Sequence, residues 1–127
     1  MISGGRILQV NGNKSKDEYP KSYNVNVKID EVKSEKNRSV IFYSYIVDYA
    51  EVGQIDVKGE LYVDEKGLEK EWKDKKQLPS PVLEEVLTAI MYSGSTIGTL
   101  MAFALNLSAP LNMPKVQIQK NGSSASG

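Results

Sequence analysis

Ile55-Asp56-Val57-Lys58-Gly59-Glu60-Leu61-Tyr62-Val63 is the stretch on which the fold turns. Ile55, Val57, Leu61 and Val63 alternate with Asp56, Lys58, Glu60 and Tyr62, and a period of two marks a strand with one buried face. Upstream, Val40 to Tyr49 is dense in aromatic and β-branched residues, and Ala50 to Gln54 supplies a glycine and a reversal of hairpin length. The two runs are expected to pair antiparallel.

Further towards the N-terminus, Tyr23 to Val32 alternates again, with Val25, Val27 and Ile29 on one face and Asn24, Asn26 and Lys28 on the other. Arg6 to Val10 is a shorter apolar run before the polar stretch Asn11 to Asp17. Downstream, Asp64 to Lys76 is nearly all charge. It reads either as an Asp64-Glu65-Lys66-Gly67 turn into a loop or as a short helix using Leu68 and Trp72 at i, i+4 spacing. A long helix is expected from Ser80, with Ser80 as cap, Pro81 at the first helical position and Glu84 and Glu85 in the first turns. Its first apolar stripe is Val82, Leu83, Val86, Leu87 and Ile90, and it runs to about Leu105 with a possible bend or break at Gly94 and Gly98. Leu107 to Pro114 reads as an extended segment. Strands followed by helix, without βαβ alternation, predict an α+β fold: a four-stranded antiparallel sheet with a long helix on one face. One domain over residues 1–120 and a flexible polar tail over 121–127 are expected.

Composition narrows the chemistry. The 127 residues carry 16 basic and 16 acidic side chains, so no excess positive field draws the chain to nucleic acid. There is no cysteine and no histidine, which removes disulfides, thiol nucleophiles, Ser-His-Asp triads and the commonest general base near neutral pH. The start Met1-Ile2-Ser3-Gly4-Gly5-Arg6 does not read as a signal peptide, and a cytoplasmic location is expected. Val86 to Pro114 is free of charge and long enough to span a bilayer, but Thr88, Ser93, Ser95, Thr96, Thr99 and Asn106 dilute it and no Lys/Arg cluster flanks it, which argues against membrane insertion.

Gly94-Ser95-Thr96-Ile97-Gly98 fits neither a nucleophile elbow nor a phosphate loop. Asp48, Glu51, Asp56 and Glu60 around the hairpin read as solvated charges, the alternative being a carboxylate-only cation site. Trp72 reads either as a lid over the core or as an anchor for a partner. Val40 to Tyr49 is apolar on both faces: Val40, Phe42 and Ile46 on one, Ile41, Tyr43, Tyr45, Val47 and Tyr49 on the other. One helix covers one face. The aromatic ladder is therefore expected to meet another subunit, another segment or a ligand, or else to be covered within the monomer.

Taken in order, these strands, the charged connection, the long helix and Leu105-Asn106-Leu107-Ser108-Ala109-Pro110-Leu111-Asn112 resemble the SecB-like chaperone family over about residues 6 to 118. The resemblance implies a homotetramer arranged as a dimer of dimers, with unfolded clients held in apolar, aromatic-lined grooves. On that pattern Trp72 and Leu78 fall in the groove-forming segment. The Tyr43, Tyr45 and Tyr49 ladder and Leu107, Leu111 and Met113 fall at further peptide-binding positions. Asp56 sits where the family carries an acidic residue implicated in docking the export motor. The basic, cysteine-containing tail of export members is absent, which fits a relative with other clients, such as those that escort antitoxins.

The expected function is an ATP-independent holdase for extended polypeptides, in protein export or antitoxin escort, with no catalytic residue, cofactor or metal. The alternatives are an oligomeric structural or adaptor protein with one dedicated partner, and an enzyme using a carboxylate-bound cation.

Overall fold

A computed structural model describes residues 1–110. Its order is β1 (Ile2–Lys14), β2 (Asn24–Glu35), β3 (Arg38–Asp48), β4 (Gly53–Val63), α1 (Leu68–Lys75) and α2 (Ser80–Leu105). The four strands form one antiparallel sheet in the order β1-β4-β3-β2, and α2 packs across one face. The α+β architecture is thus the one expected from the strand run and the single long helix.

The β3–β4 hairpin pairs as the alternation requires, Tyr45 opposite Val57 and Val47 opposite Ile55. Its reversal closes through Val52 N–H to Tyr49 O at 3.2 Å and Tyr49 N–H to Gly53 O at 3.0 Å, with Ala50 at φ 59°. Asp48 steadies the turn by accepting Ala50 N–H at 2.9 Å. β1 and β2 extend beyond their apolar runs by pairing along the whole of β4 and β3, and both strands are bulged. The register of β2 shifts between Ile29 and Glu31, so Asp30 is the extra residue and Val32 returns to the face of Val25, Val27 and Ile29. In β1 a shift between Ile7 and Gln9 does the same for Ile7 and Val10, which pair with Gly59 and Val57.

The charged connection resolves as a short helix. α1 opens after Gly67, at φ 86°, and ends at Lys76, at φ 56°, with Lys73 and Lys75 paired to Glu69 and Glu71 one turn earlier. Leu68 is buried and Trp72, one turn on, is half-buried against the core beside β2, so Trp72 is a lid.

α2 begins one residue before the expected first helical position. Ser80 is itself helical and caps nothing; Pro79 is the cap residue, and its carbonyl accepts Leu83 N–H at 2.8 Å. The first turn holds no acidic side chain, and Glu85 instead accepts Ile2 N–H at 3.3 Å and lies 3.8 Å from the N-terminal amine. The helix runs unbroken through Gly94 and Gly98. Those glycines are seats: a Cβ at Gly94 would lie 2.3 Å from Tyr45 Cγ, and one at Gly98 would lie 2.9 Å from Pro110 Cγ. Asn106, at φ 57°, ends the helix, and Leu107 N–H returns to Ala102 O at 2.8 Å.

The core lies between the sheet and α2. Ile41, Tyr43, Tyr45, Val47 and Tyr49 of β3 and Ile55, Val57 and Val63 of β4 face Val86, Ile90 and Ala102 of α2. The aromatic ladder is therefore covered within the monomer, on the helix side. The uncovered face of the sheet is the one bearing Phe42, Ile46 and Tyr62, and long polar side chains shield it: Lys33 Nζ lies 5.6 Å from the Phe42 ring centre, and the Arg38 guanidinium 3.9 Å from that of Tyr62. On the same face Arg6 Nε donates to Glu60 at 2.8 Å and the Tyr62 hydroxyl donates to it at 2.7 Å.

Candidate functional site

The strand order leaves β1 at an edge of the sheet, paired only with β4, so the backbone groups along its other side have no strand partner among the described residues. α2 runs alongside this edge. Its start sits over Ile2 through Glu85, and its end over Gly12, where Met101 and Leu105 pack. Between these two anchors strand and helix part. Gly4 and Gly5 put no side chain into the gap, and a groove of about 580 Å³ opens there. Its walls are Ile2 and Ile7 of β1 and Ala89, Tyr92, Thr96 and Ile97 of α2, and its floor is Tyr43 and Leu61. Arg6 stands at its rim, its guanidinium held by Glu60. The volume falls within the range of small-molecule and peptide-side-chain sites, roughly 300–1,000 Å³.

Close packing fixes the floor. Tyr43 fills the space left by Gly59, where a Cβ would lie 2.5 Å from its hydroxyl, and that hydroxyl lies 3.5 Å from Ser93 Oγ. Tyr92 is half exposed, with its ring free to meet a ligand. Beyond the groove, on the uncharged C-terminal part of α2, Leu100 and Phe103 are 64% and 89% exposed. α2 is long and apolar enough to cross a membrane by length and composition, and a third of its most apolar window is buried in the chain.

Of the positions singled out in the sequence, Tyr43 alone borders this groove. Tyr45 and Tyr49 are sealed beneath α2 and the segment after it, with the Tyr49 hydroxyl donating to Ser108 O. Burial pushes the Tyr45 and Tyr49 hydroxyls up to about 12, with Tyr23 nearby adding to both shifts. Leu78 and Leu107 are core residues, and Trp72 sits on the β2 side, away from β1. Asp56 lies on the uncovered face of the sheet, opposite Ile46 and Asn11, with one carboxylate oxygen buried and without a hydrogen-bond partner among the described residues. Leu111 and Met113 lie outside the described residues.

The four hairpin carboxylates do not converge. Asp48 holds the turn, Glu51 pairs with Lys16 at 2.6 Å, and Glu60 is taken by Tyr62 and Arg6, which hold its carboxyl below the usual range. Among the described residues no three metal-ligating acidic side chains cluster.

The lining residues Ile2, Ile7, Ala89 and Ile97 escaped sequence reasoning because nothing local says which strand lies at the sheet edge beside the helix. The one available signal was Gly4-Gly5 between Ile2 and Ile7, a gap in an otherwise apolar strand. Comparisons of the chain with family models, with curated proteins and with solved structures gave no match.

Proposed function

We propose that the chain is a non-catalytic polypeptide-binding protein, an ATP-independent holdase that captures extended apolar segments along the β1–α2 groove. The observation that carries this reading is the coincidence of a free sheet edge with an apolar hollow beside it. A free edge offers backbone hydrogen bonds to any extended chain, independent of its sequence, while the hollow accepts alternate apolar side chains. Binding of this kind is broad and weak per contact, and it acts on unfolded chains by mass action. The SecB-like order of elements supports the same reading and implies an oligomer that acts without nucleotide. A place in export or in antitoxin escort rests on that resemblance alone.

A second reading, an adaptor for one folded partner, is favoured by the exposed Leu100 and Phe103 on α2. Light scattering separates them. A chemically unfolded test protein is diluted into buffer with the chain or with an inert protein at equal mass. Suppression of aggregation near stoichiometric ratios without ATP is the expected result, and no suppression leaves the adaptor.

A further inference from the structure

We propose that β1 is an exchangeable strand: it covers, as a built-in competitor, the edge of β4 on which an extended polypeptide seats in its place. This rests on the reading of the chain as a polypeptide-binding protein, and it adds that release of β1 opens the site.

Packing sets β1 apart from the strand it covers. None of its 13 residues is buried, whereas seven of the 11 residues of β4 are, so β1 is held chiefly by its backbone ladder. Its apolar contribution to the core is Ile2, Ile7 and Val10, all half-buried. Gly4, Gly5 and Gly12 weaken the ladder, and its register skips Ser3 and Leu8. Across its middle the groove parts it from α2. At its ends it is clasped through Ile2 N–H to Glu85 at 3.3 Å and through Lys14 Nζ to Asn106 O at 3.1 Å. The other edge strand is fastened more firmly. Val32 of β2 is buried, Glu69 of α1 accepts Ser34 N–H at 3.2 Å, and α1 lies beside the strand.

The seam beneath β1 holds an unmet polar group. Asp56, opposite Asn11 of β1, has one carboxylate oxygen buried without a hydrogen-bond partner among the described residues. Withdrawal of β1 admits water to that oxygen, which favours release. The ion pair between Arg6 and Glu60 opposes it, but the Arg6 side chain is 67% exposed, and pairs open to solvent contribute little.

The groove decides what replaces β1. Because Gly4 and Gly5 bring no side chain to it, a hollow of about 580 Å³ stays unfilled. A strand without the two bulges points a side chain to the core face at every second position, and an apolar one there fills the hollow. Such a strand gains burial that β1 forgoes. The ligand class is therefore an extended segment matching the 11 registered pairs of β1 with β4, apolar at alternate positions.

Hydrogen exchange tests the release without any ligand. Asp64 N–H pairs with Met1 O, Gly53 O accepts Tyr49 N–H, and β4 has no register shift against β3. Even-numbered β4 amides therefore face β1 and odd-numbered ones face β3. Asp56, Lys58 and Glu60 amides are expected to exchange about tenfold or more faster than those of Ile55, Val57 and Leu61. Equal protection along β4 overturns the proposal.

A disulfide lock tests the exchange. Gln9 and Lys58 are exposed and directly opposite. Cα atoms of such pairs lie about 4.5–5.5 Å apart, within the roughly 4.4–6.8 Å span of a disulfide, and the chain has no cysteine of its own. The probe is fluorescein-labelled, reduced and carboxymethylated lactalbumin, read by anisotropy. Oxidised Gln9→Cys/Lys58→Cys is expected to bind it about tenfold more weakly than the reduced form, with reduction restoring affinity. Asn26→Cys/Ile46→Cys, which bridges β2 to β3, is the control and is expected to bind alike in both states. A locked β1 that binds as well as the reduced form overturns the exchange and leaves the groove reading standing, and an equal loss in the control overturns it too. Failure of the unsubstituted chain to bind the probe overturns the polypeptide reading and the exchange with it.

Discussion

Gly94 of α2 lies flat against the ring of Tyr45, so close that a Cβ at position 94 would sit 2.3 to 2.7 Å from three ring carbons. This contact sets the height of the helix over the sheet. It lets the uncharged stretch of the helix after Glu85 approach β3 closely enough to bury Tyr43, Tyr45 and Tyr49 together, and it leaves the groove as the place where α2 and β1 diverge.

Gly94→Ala pits two effects against each other. Alanine favours the helix by about 0.8–1 kcal/mol, whereas overpacking a closed core costs about 1–3 kcal/mol. Tyr45 is fully buried and the contact is with the near end of its ring, so the ring cannot swing aside. Overpacking wins, and the urea midpoint of the variant is expected to fall. A midpoint equal to or above that of the unsubstituted chain would show that the helix can lift at no cost.

Tyr45 and Tyr49 make opposite predictions from similar burial. The Tyr45 hydroxyl has no hydrogen-bond partner among the described residues, while that of Tyr49 donates to Ser108 O. An unsatisfied buried polar group costs about 1–3 kcal/mol, and a satisfied one contributes about 0.5–1.5 kcal/mol. Tyr45→Phe is expected to stabilise the fold and Tyr49→Phe to destabilise it, each by about 1 kcal/mol. Alkaline titration adds a check. Both hydroxyls are pushed up to about 12 from 10.0 by burial, so the unfolded chain loses these protons first. Their contribution is fully present below about pH 10 and is lost as pH rises towards 12. Ultraviolet absorbance should show Tyr45 and Tyr49 among the late-ionising tyrosines, beside Tyr62, which its hydrogen bond to Glu60 also raises, and the Tyr45 and Tyr49 Phe variants should each remove one.

How far the sequence could be read follows from where its periodicities held. Ile55 to Val63 and the Ser80 start of α2 were legible because alternation and helix-forming residues persist over whole elements. β1 was legible only in part: the apolar spacing Ile7 to Val10 breaks the period of two, and only the bulge in the pairing restores it. Which face of β3 meets the helix was not legible either. Val40, Phe42 and Ile46 look as apolar as the tyrosines, and what decides is that Arg38 and Lys33 stack over the Phe42 and Tyr62 side. The groove was hidden for a different reason. It arises from β1 pairing with β4 rather than with its neighbour in sequence, a long-range choice that no local pattern records.

Glu60 gives the fold an acid-sensitive point on the uncovered face. The Tyr62 hydroxyl, then Arg6, hold its carboxyl below the usual value near 4.5, against the opposing effect of burial. The folded pKa is depressed, so as pH falls the unfolded chain takes up the proton first. This stabilisation is present above the unfolded value and is lost as pH falls through the lower, folded one. Glu60→Gln is expected to lower the urea midpoint at neutral pH, with the gap to the unsubstituted chain closing below about pH 4. A gap that stays constant down to acid pH would mean that the hydrogen-bond geometry, and not the charge, is what Arg6 and Tyr62 recognise.

Tyr92→Asp is the sharpest test of where a polypeptide binds. Tyr92 is half exposed on the groove wall, and among the described residues its ring is the one aromatic surface of the groove that reaches solvent. A carboxylate there would have to lose its hydration when an apolar side chain entered, at a cost of several kcal/mol, while the folded chain keeps it in water. Stability by urea is therefore expected to change little, and suppression of aggregation to be lost. Trp72→Ala is the counterpart: it uncovers core beside β2, so stability should fall by about 3 kcal/mol or less for a half-buried ring, with suppression per folded molecule unchanged. If the effects are exchanged, with Trp72→Ala abolishing suppression and Tyr92→Asp sparing it, clients bind on the β2 side and the free edge of β1 serves another purpose.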